Sequence, residues 1–225
     1  MGRALIGITC DVSELGGRLR TSCTPGYAEA IARAGGVPVL LSPVIECVAE
    51  QVERCDGIVL SGGDDPRTER YGEATDPRVT PLNEVRQAYE EALIEHLNAH
   101  APDKGVLGVC LGMQMMALMA GGKIDQHMPG GRDVEGRHWD GVHRVRRVGD
   151  LGVIGDGEVF SRHRQCVVDA GGMVCVAEAD DGVMEAIADV GRRFHLGVQW
   201  HPERTGGELG DGVFARLVRA AQSTI

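Results

Sequence analysis

The sequence lacks the cysteine pairing and the long apolar runs that mark secreted or membrane-spanning chains. Its 225 residues include seven cysteines, an odd number, and no CxxC pair occurs. No apolar run approaches the roughly 20 residues that a helix needs to cross a bilayer. The chain also begins without a charged segment followed by a long apolar one. We therefore expect a reduced, cytoplasmic protein without disulfides and without a membrane partner.

Basic residues are also scarce, since 23 Lys and Arg face 33 Asp and Glu, for a net charge of −10. Phosphate binding requires a clustered basic face, so we expect no nucleic-acid partner. We interpret the one basic run, Arg137–Arg147, as a solvated loop or strand face interrupted by Asp140. Its two histidines, His138 and His143, fit no familiar zinc spacing. We accordingly predict no metal site and no cofactor.

Short apolar runs alternate with helical patterns along a chain long enough for one α/β domain, which we predict to span residues 1–225. The alternation predicts a doubly wound, mainly parallel sheet with helices on both faces. The predicted strands are Ala4–Thr9, Val37–Leu41, Gly57–Leu60, Gly105–Val109 and Arg193–Gln199. The predicted helices are Tyr27–Ala34, Leu82–His100, Leu111–Ala120 and Val213–Ala221. The segment from Asp125 to Val176, rich in Gly, Arg, His and alternating Val, predicts a small antiparallel addition with a hairpin.

The sharpest motif surrounds Cys110, which directly follows an apolar strand and precedes a helix. Gly108 and Gly112 flank it, as a tight strand-to-helix turn requires. The positive end of the following helix favours the thiolate. A free cysteine is more commonly a small buried hydrophobe, but this turn context favours a nucleophile.

Two further strand ends carry polar motifs. In GVQWHPE, His201 and Glu203 lie two residues apart, and a cysteine nucleophile needs an imidazole that a carboxylate orients. In LSGGDDP, the double glycine Gly62-Gly63 can point backbone N–H groups at a developing oxyanion. Together with the amide of Leu111, just after the nucleophile, this turn supplies two donors.

The order SGG, GVCLGMQ, WHPE resembles the class I glutamine amidotransferase superfamily. Other segments resemble its γ-glutamyl hydrolase branch, peptidase C26, which includes γ-glutamyl-γ-aminobutyrate hydrolase. These segments are IGITCD, YAEAIARAGGVPVLLSP, GGDDP with the nearby Tyr71, AGGKIDQH, SRHRQ and ADDGVMEAI. The resemblance extends over nearly the whole chain, from Ile6 to about Phe214, and it implies a flavodoxin-like fold.

The resemblance also implies a thioester mechanism on a small γ-glutamyl amide, which releases glutamate and an amine. Cys110 would attack the γ-carbonyl, His201 would move the proton, and Glu203 would orient His201. The amides of Gly63 and Leu111 would hold the oxyanion. Four residues are expected to contact the glutamyl portion: Gly62, Gln114, Ser161 and His163.

The chain departs from the branch at three places that bear on specificity. On the long helix, Arg86-Gln87 with Glu90 stands where the branch often has Arg-Asp ahead of a glutamate. Arg164 replaces the second histidine of a usual pair, and it either meets an anionic group of the substrate or forms a surface ion pair. Leu111 is typical of the ammonia-delivering amidotransferases. Two alternatives to a free-standing hydrolase therefore stay open: a glutaminase subunit that passes ammonia to a separate synthase partner, and a binding module without catalysis. The amine leaving group and a homodimer are likewise left open.

Overall fold

The computed structural model describes residues 2–128, 137–150 and 152–222, and a nine-stranded mixed sheet lies at its centre. Five strands form the parallel half: β1 (Leu5–Thr9), β4 (Val37–Leu41), β5 (Gly57–Leu60), β6 (Gly105–Val109) and β13 (His195–Val198). Four strands form the antiparallel half: β8 (Trp139–Arg147), β9 (Gly157–Arg162), β11 (Val174–Ala179) and β12 (Met184–Ala188). The strand order is β4-β1-β5-β6-β13-β12-β11-β8-β9.

Helices cover both faces of the parallel half. Helices α1 (Pro25–Arg33) and α5 (Asp211–Gln222) pack together on one face, and α2 (Val48–Arg54), α3 (Glu84–His100) and α4 (Leu111–Met119) share the other. Helix α3 begins where the Asn83 side chain accepts a hydrogen bond from the Val85 amide at 2.9 Å. Helices α1 and α4 end at glycines with positive φ, Gly35 and Gly121. The doubly wound α/β fold predicted from the sequence is confirmed.

Two local elements escaped the sequence analysis. Strands β2 (Asp11–Leu15) and β3 (Arg18–Ser22) form a separate hairpin, whose turn has positive φ at Gly16 and Gly17, as a type I′ turn requires. The hairpin is mostly exposed, so its sequence carries no strong apolar alternation. Helix α2 has only seven residues and is too short for a clear helical period.

The predicted antiparallel addition is confirmed, with β8 and β9 as its hairpin. It extends beyond the predicted segment through β11 and β12, so that antiparallel pairs make up half of the pairings in the main sheet. A further small sheet pairs β7 (Lys123–Asp125) with β10 (Cys166–Asp169). The solvated basic face is right for the arginines of β8 but wrong for the two histidines of the basic run. Arg144 and Arg146 are exposed, whereas His138 and His143 are buried. The reason is the two-residue period of the strand, which turns His143 and Val145 inward between outward-facing arginines.

None of the seven cysteines, all of which lie in the described residues, forms a disulfide. Among the described residues, no helix has the length and apolar character that crossing a bilayer demands. The carboxyl ends of β1, β5, β6 and β13 lie side by side at one edge of the sheet, because these strands are parallel neighbours. Ligands of open α/β sheets bind at this edge, and the candidate site is found there.

Candidate active site

Cys110 occupies a strained turn between β6 and α4, with φ 51° and ψ −101°. Few residues other than glycine adopt a positive φ, so the backbone strain marks Cys110 as a candidate functional residue. The turn is possible because both flanking glycines lack a side chain. A Cβ at Gly108 would lie 2.5 Å from the Met116 sulfur, and a Cβ at Gly112 would overlap the Leu60 carbonyl oxygen. The predicted strand–Cys–helix turn is thus present.

His201 and Glu203 follow β13 at the same edge of the sheet. The Nδ1–H of His201 donates a 2.8 Å hydrogen bond to Glu203 Oε1, and both side chains are largely buried. His201 lines the same pocket as Cys110. Burial lowers the pKa of His201, but the neighbouring Cys110 and Glu203 outweigh it and raise the pKa to about 10. These two neighbours therefore favour the protonated form of the imidazole.

The two residues whose amides are predicted as oxyanion donors lie next to each other. A Cβ on Gly63 would come within 3.0 Å of Leu111 Cδ2, so the two residues are in contact. Within the described residues the Gly63 N–H has no hydrogen-bond acceptor, and the Leu111 N–H is the first of α4, without an intrahelical partner. The Gly62 amide, in contrast, donates to Tyr27 Oη at 2.9 Å. Gly62 thus serves to hold the turn against Tyr27.

A buried ion pair lies beneath this turn, formed by Arg86 and Glu90, which the sequence marked only as a departure from the branch. The Arg86 guanidinium is fully buried, forms an ion pair with Glu90 at 3.1 Å, and donates to the Ser61 carbonyl at 2.9 Å and the Gly62 carbonyl at 3.1 Å. Thr9 donates a 2.8 Å hydrogen bond to Glu90 Oε1. The available signal was a pair of charged residues four apart on the inner face of α3. Arg86, paired with Glu90, thereby fixes the Ser61 and Gly62 carbonyls. The amides of the turn consequently point away from Arg86.

Of the four residues predicted to contact the glutamyl portion, two line the pocket that contains Cys110 and two do not. Gln114 and His163 line the pocket with Cys110. Gly62 lines an adjoining pocket, whereas Ser161 is completely buried and is absent from the walls of both. Gln199 was not predicted, yet its Nε2 lies 3.6 Å from Cys110 Sγ and its Oε1 lies 3.4 Å from Gln114 Nε2.

The pocket beside Cys110 has a volume of about 250 Å³ and a largely polar wall. Its far side comes from the antiparallel half of the sheet, where the Arg164 guanidinium carbon stacks 3.7 Å from the centroid of the Trp139 ring. The volume is close to the lower end of the roughly 300–1,000 Å³ usual for ligand pockets. A second pocket of about 490 Å³ adjoins it and shares Gly63, Arg162 and His201. The arrangement suits a small polar molecule held against the cysteine.

Comparison with known proteins relates the chain to enzymes of glutamine and γ-glutamyl chemistry. A protein of Mycobacterium tuberculosis named "Putative glutamine amidotransferase" is 34% identical over an alignment of 213 positions, which covers 87% of this chain and 66% of the relative. The chain thus spans just under two thirds of that relative. The γ-glutamyl-γ-aminobutyrate hydrolase of Escherichia coli O157:H7 is 26% identical over an alignment of 253 positions, which covers 100% of this chain and 96% of the relative.

A solved structure and a family model complete the comparison. The crystal structure of a glutamine amidotransferase from Thermotoga maritima superposes with a TM-score of 0.61 at 17% identity, covering 100% of this chain and 84% of the other, and therefore shares the fold. The sequence model of the peptidase C26 family matches residues 4–203. Because that match includes the strained cysteine turn and the His201–Glu203 pair, the chain belongs to the peptidase C26 family.

Proposed function

We propose that the chain hydrolyses the amide bond of a γ-glutamyl amide through a thioester on Cys110. Family membership indicates an enzyme that acts on C–N bonds, of hydrolase or amidotransferase type. The observation that carries the finer proposal is the strained Cys110 turn, which shares one pocket with a His201 ring hydrogen-bonded to Glu203. Such a pairing of nucleophile, imidazole and orienting carboxylate is what acyl transfer requires.

The first half-reaction forms the acyl-enzyme. The Cys110 sulfur attacks the γ-carbonyl carbon, and the carbonyl oxygen becomes an oxyanion that accepts hydrogen bonds from the Gly63 and Leu111 amides. His201 gives its proton to the leaving amine as the C–N bond breaks. The thiolate is one of the two groups that raise the pKa of His201. Its charge is consumed in the thioester, so the imidazolium becomes a stronger acid at the step where a proton is needed.

The second half-reaction releases glutamate. Neutral His201 accepts a proton from water, which attacks the thioester carbon, and the Cys110 sulfur leaves with its electron pair. Glu203 keeps the His201 ring in one orientation throughout, because the hydrogen bond at Nδ1 leaves Nε2 facing the pocket. The chain supplies every proton carrier in these two half-reactions, so they need no cofactor.

An ammonia-donating glutaminase is the second candidate, and two observations favour it. The M. tuberculosis relative named a glutamine amidotransferase is 34% identical, whereas the γ-glutamyl-γ-aminobutyrate hydrolase is 26% identical. Leu111 is also the residue typical of ammonia-delivering enzymes. In this reading the leaving amine is ammonia, and a synthase partner would be required for full activity.

A screen of γ-glutamyl amides tests both readings. Glutamine, γ-glutamyl-γ-aminobutyrate and other γ-glutamyl amines are incubated with the purified chain, and glutamate release is followed. The hydrolase reading expects turnover of an amine conjugate by the chain alone, faster than that of glutamine. A Cys110→Ala variant should be inactive, whereas Cys47→Ala, a control at an exposed thiol, should retain full activity. Equal rates for wild type and Cys110→Ala would refute the mechanism.

An inert binding module is separated from both enzymes by thiol chemistry. A thiolate reacts with iodoacetamide far faster than a buried thiol does. We expect Cys110 to be alkylated first near neutral pH, with loss of glutamate release in step with alkylation. Alkylation at Cys110 no faster than at Cys47 would support the inert module.

A further inference from the structure

The antiparallel half of the sheet encloses a group of polar side chains that the proposed reaction does not use. We call it the Glu185 cluster, and its members are His138, His143, His163 and Glu185. All four side chains are at least 97% buried. They come from separate places, since His138 precedes β8, His143 lies in β8, His163 follows β9, and Glu185 lies in β12. This scatter along the sequence explains why no zinc spacing is visible in it.

The inner atoms of the cluster are spaced like the ligands of a metal ion. Glu185 Oε1 lies 3.3 Å from His138 Nδ1, 3.2 Å from His143 Nε2 and 3.6 Å from His163 Nε2. His138 Nδ1 and His163 Nε2 are 3.2 Å apart. Ligands at about 2.0–2.1 Å from a tetrahedral Zn²⁺ are separated by about 3.3–3.4 Å, so these edges have the required length.

The outer nitrogens of the three histidines show where the protons are. His138 Nε2 lies 2.9 Å from Asp181 Oδ2, His143 Nδ1 lies 3.1 Å from the Arg137 carbonyl, and His163 Nδ1 lies 2.8 Å from the Gln165 carbonyl. Carboxylate and carbonyl oxygens only accept hydrogen bonds, so each outer nitrogen carries the hydrogen. In a neutral imidazole the inner nitrogen then presents a lone pair. Metal-binding histidines have this outer hydrogen bond almost without exception.

With all three rings neutral, the inner nitrogens would present lone pairs to one another and to Glu185 in a buried space. His138 Nδ1 and His163 Nε2 are within hydrogen-bond distance, so without a metal ion one of them holds a hydrogen that the ion would displace. Neither Glu185 oxygen has a well-aligned hydrogen bond from any residue that the structure describes, and the same holds for His143 Nε2. Unpaired buried acceptors are costly, and a buried carboxylate more so. A cation at the centre of the cluster would satisfy all of them at once.

We propose that His138 Nδ1, His163 Nε2 and Glu185 Oε1 bind a divalent transition-metal ion of the Zn²⁺ type. These three atoms lie within 4.8 Å of one another. His143 Nε2 lies 3.2 Å from the same carboxylate oxygen and borders the three-ligand group without belonging to it. Nitrogen and oxygen donors, tetrahedral edges and a closed, buried setting are typical of a structural zinc site. The sequence predicted no metal site, because the spacing of His138 and His143 fits no familiar zinc pattern. Our proposal replaces that prediction.

The site would brace the wall of the candidate active site. His163 lines the pocket beside Cys110, and the neighbouring Arg162 and Arg164 line it as well. A metal ion would tie the segment containing these residues to β8 and β12. None of the proposed chemical steps uses a metal ligand, so the proposed hydrolysis and the proposed metal site can be tested separately.

Metal binding is tested on a Cys110→Ala background, because a thiolate beside His201 could itself hold zinc. The protein is stripped with a chelator and titrated with Co²⁺, whose visible absorption reports tetrahedral coordination. We expect one equivalent of Co²⁺ to bind, to be displaced by Zn²⁺, and to raise the melting temperature. Absence of saturable Co²⁺ or Zn²⁺ binding by the folded protein would overturn the proposal. A sulfur-to-cobalt charge-transfer band would also overturn it, since the proposed ligands contain no sulfur.

Two variants assign the site, and one serves as a control. Glu185→Gln removes a ligand and should abolish stoichiometric binding. Asp181→Asn removes only the partner of His138 Nε2 and should weaken the affinity about 10–100-fold while the fold persists. This second variant gives an answer even if Glu185→Gln does not fold. His100→Gln alters an exposed histidine stacked on His96 and should bind as the background does. Unchanged affinity in Asp181→Asn would refute the assignment.

Discussion

The two halves of the sheet build the pocket by different means. The parallel half contributes turns at strand ends, where backbone conformation places Cys110, the amides of Gly63 and Leu111, and the His201–Glu203 pair. The antiparallel half contributes side chains: the Arg164–Trp139 stack in the wall and the Glu185 cluster behind it. Chemistry is thus proposed for the half that is organised by backbone, and recognition and bracing for the half that is organised by side chains.

The comparison explains which feature constrains each half. In the parallel half, a reactive group depends on close approach of backbone segments, which tolerates no added atom at Gly108 or Gly112. In the antiparallel half, the position of a side chain depends on the register of the paired strands. His143, for example, lies opposite Val159. Changes in the parallel half should therefore affect rate or folding strongly, and changes in the wall should affect substrate affinity.

The largest effect is expected from Glu203→Gln. The change removes the anionic acceptor of the His201 Nδ1–H at 2.8 Å and leaves the ring free to adopt the wrong tautomer. By analogy with carboxylate-to-amide changes in other triads, kcat/KM should fall about 10²–10⁴-fold with a small change in KM. Steady-state glutamate release measures both constants.

Glu208→Gln is the matched control, because Glu208 is exposed on a neighbouring turn of the same half. It should leave kcat/KM within about twofold of wild type. Equal effects of the two substitutions would remove Glu203 from the orienting role and weaken the assignment of the chemistry to this strand end.

Gly112→Ala probes the close approach on which the parallel half depends. Its Cβ would overlap the Leu60 carbonyl oxygen, a backbone atom that cannot swing aside. We expect a loss of about 2–4 kcal/mol in the free energy of unfolding, measured by urea denaturation. Gly206→Ala should change it by less than about 0.5 kcal/mol, because φ there is −86° and no atom lies within 4 Å of the added Cβ. A stable Gly112→Ala protein would mean that the cysteine turn has room to relax.

The contrast between local turns and strand register also explains how much of the candidate site the sequence could predict. A strand that runs into Cys110 between two glycines is a local pattern, so the turn and its helix were placed correctly. The role of Arg86 was not predicted, because its contact with the Ser61 and Gly62 carbonyls joins residues about 25 positions apart. The contact of His138 with Glu185 was not predicted for the same reason, since only the pairing of β8, β11 and β12 brings the two residues together. Local patterns predict turns, and register across a sheet must be observed.

Arg164→Ala probes the wall of the antiparallel half. The guanidinium lies on Trp139 at the pocket rather than on a remote surface, which favours contact with an anionic substrate group. We expect KM to rise about 5–20-fold for a substrate with a carboxylate in its amine portion, with kcat within about threefold. Glutamine, which lacks that group, should be affected less.

Arg146→Ala supplies the control, because Arg146 pairs with Asp180 at the exposed face of the same half. Its kinetic constants should match those of wild type. An unchanged substrate profile in Arg164→Ala would end the case for a recognition role of the wall.

A pH dependence of stability is also expected, and it belongs to the parallel half. The pKa of His201 is raised from 6.5 to about 10, so the folded state binds its proton more tightly than the unfolded state does. The resulting stabilisation is fully present below pH 6.5 and is lost as the pH rises through 10. The slope that one such group contributes is at most about 1.4 kcal/mol per pH unit.

Urea denaturation of wild type and His201→Gln between pH 6.5 and 10 isolates this contribution, because the other titrating groups are common to both proteins. We expect the stability difference between the two to shrink steadily as the pH rises. The two halves make opposite demands here: His201 needs its proton to be held beside Cys110, whereas the inner nitrogens of the Glu185 cluster need to be free of protons. A constant difference across the range would mean that His201 is not held as an imidazolium, and the proton for the leaving amine would have to come from another group.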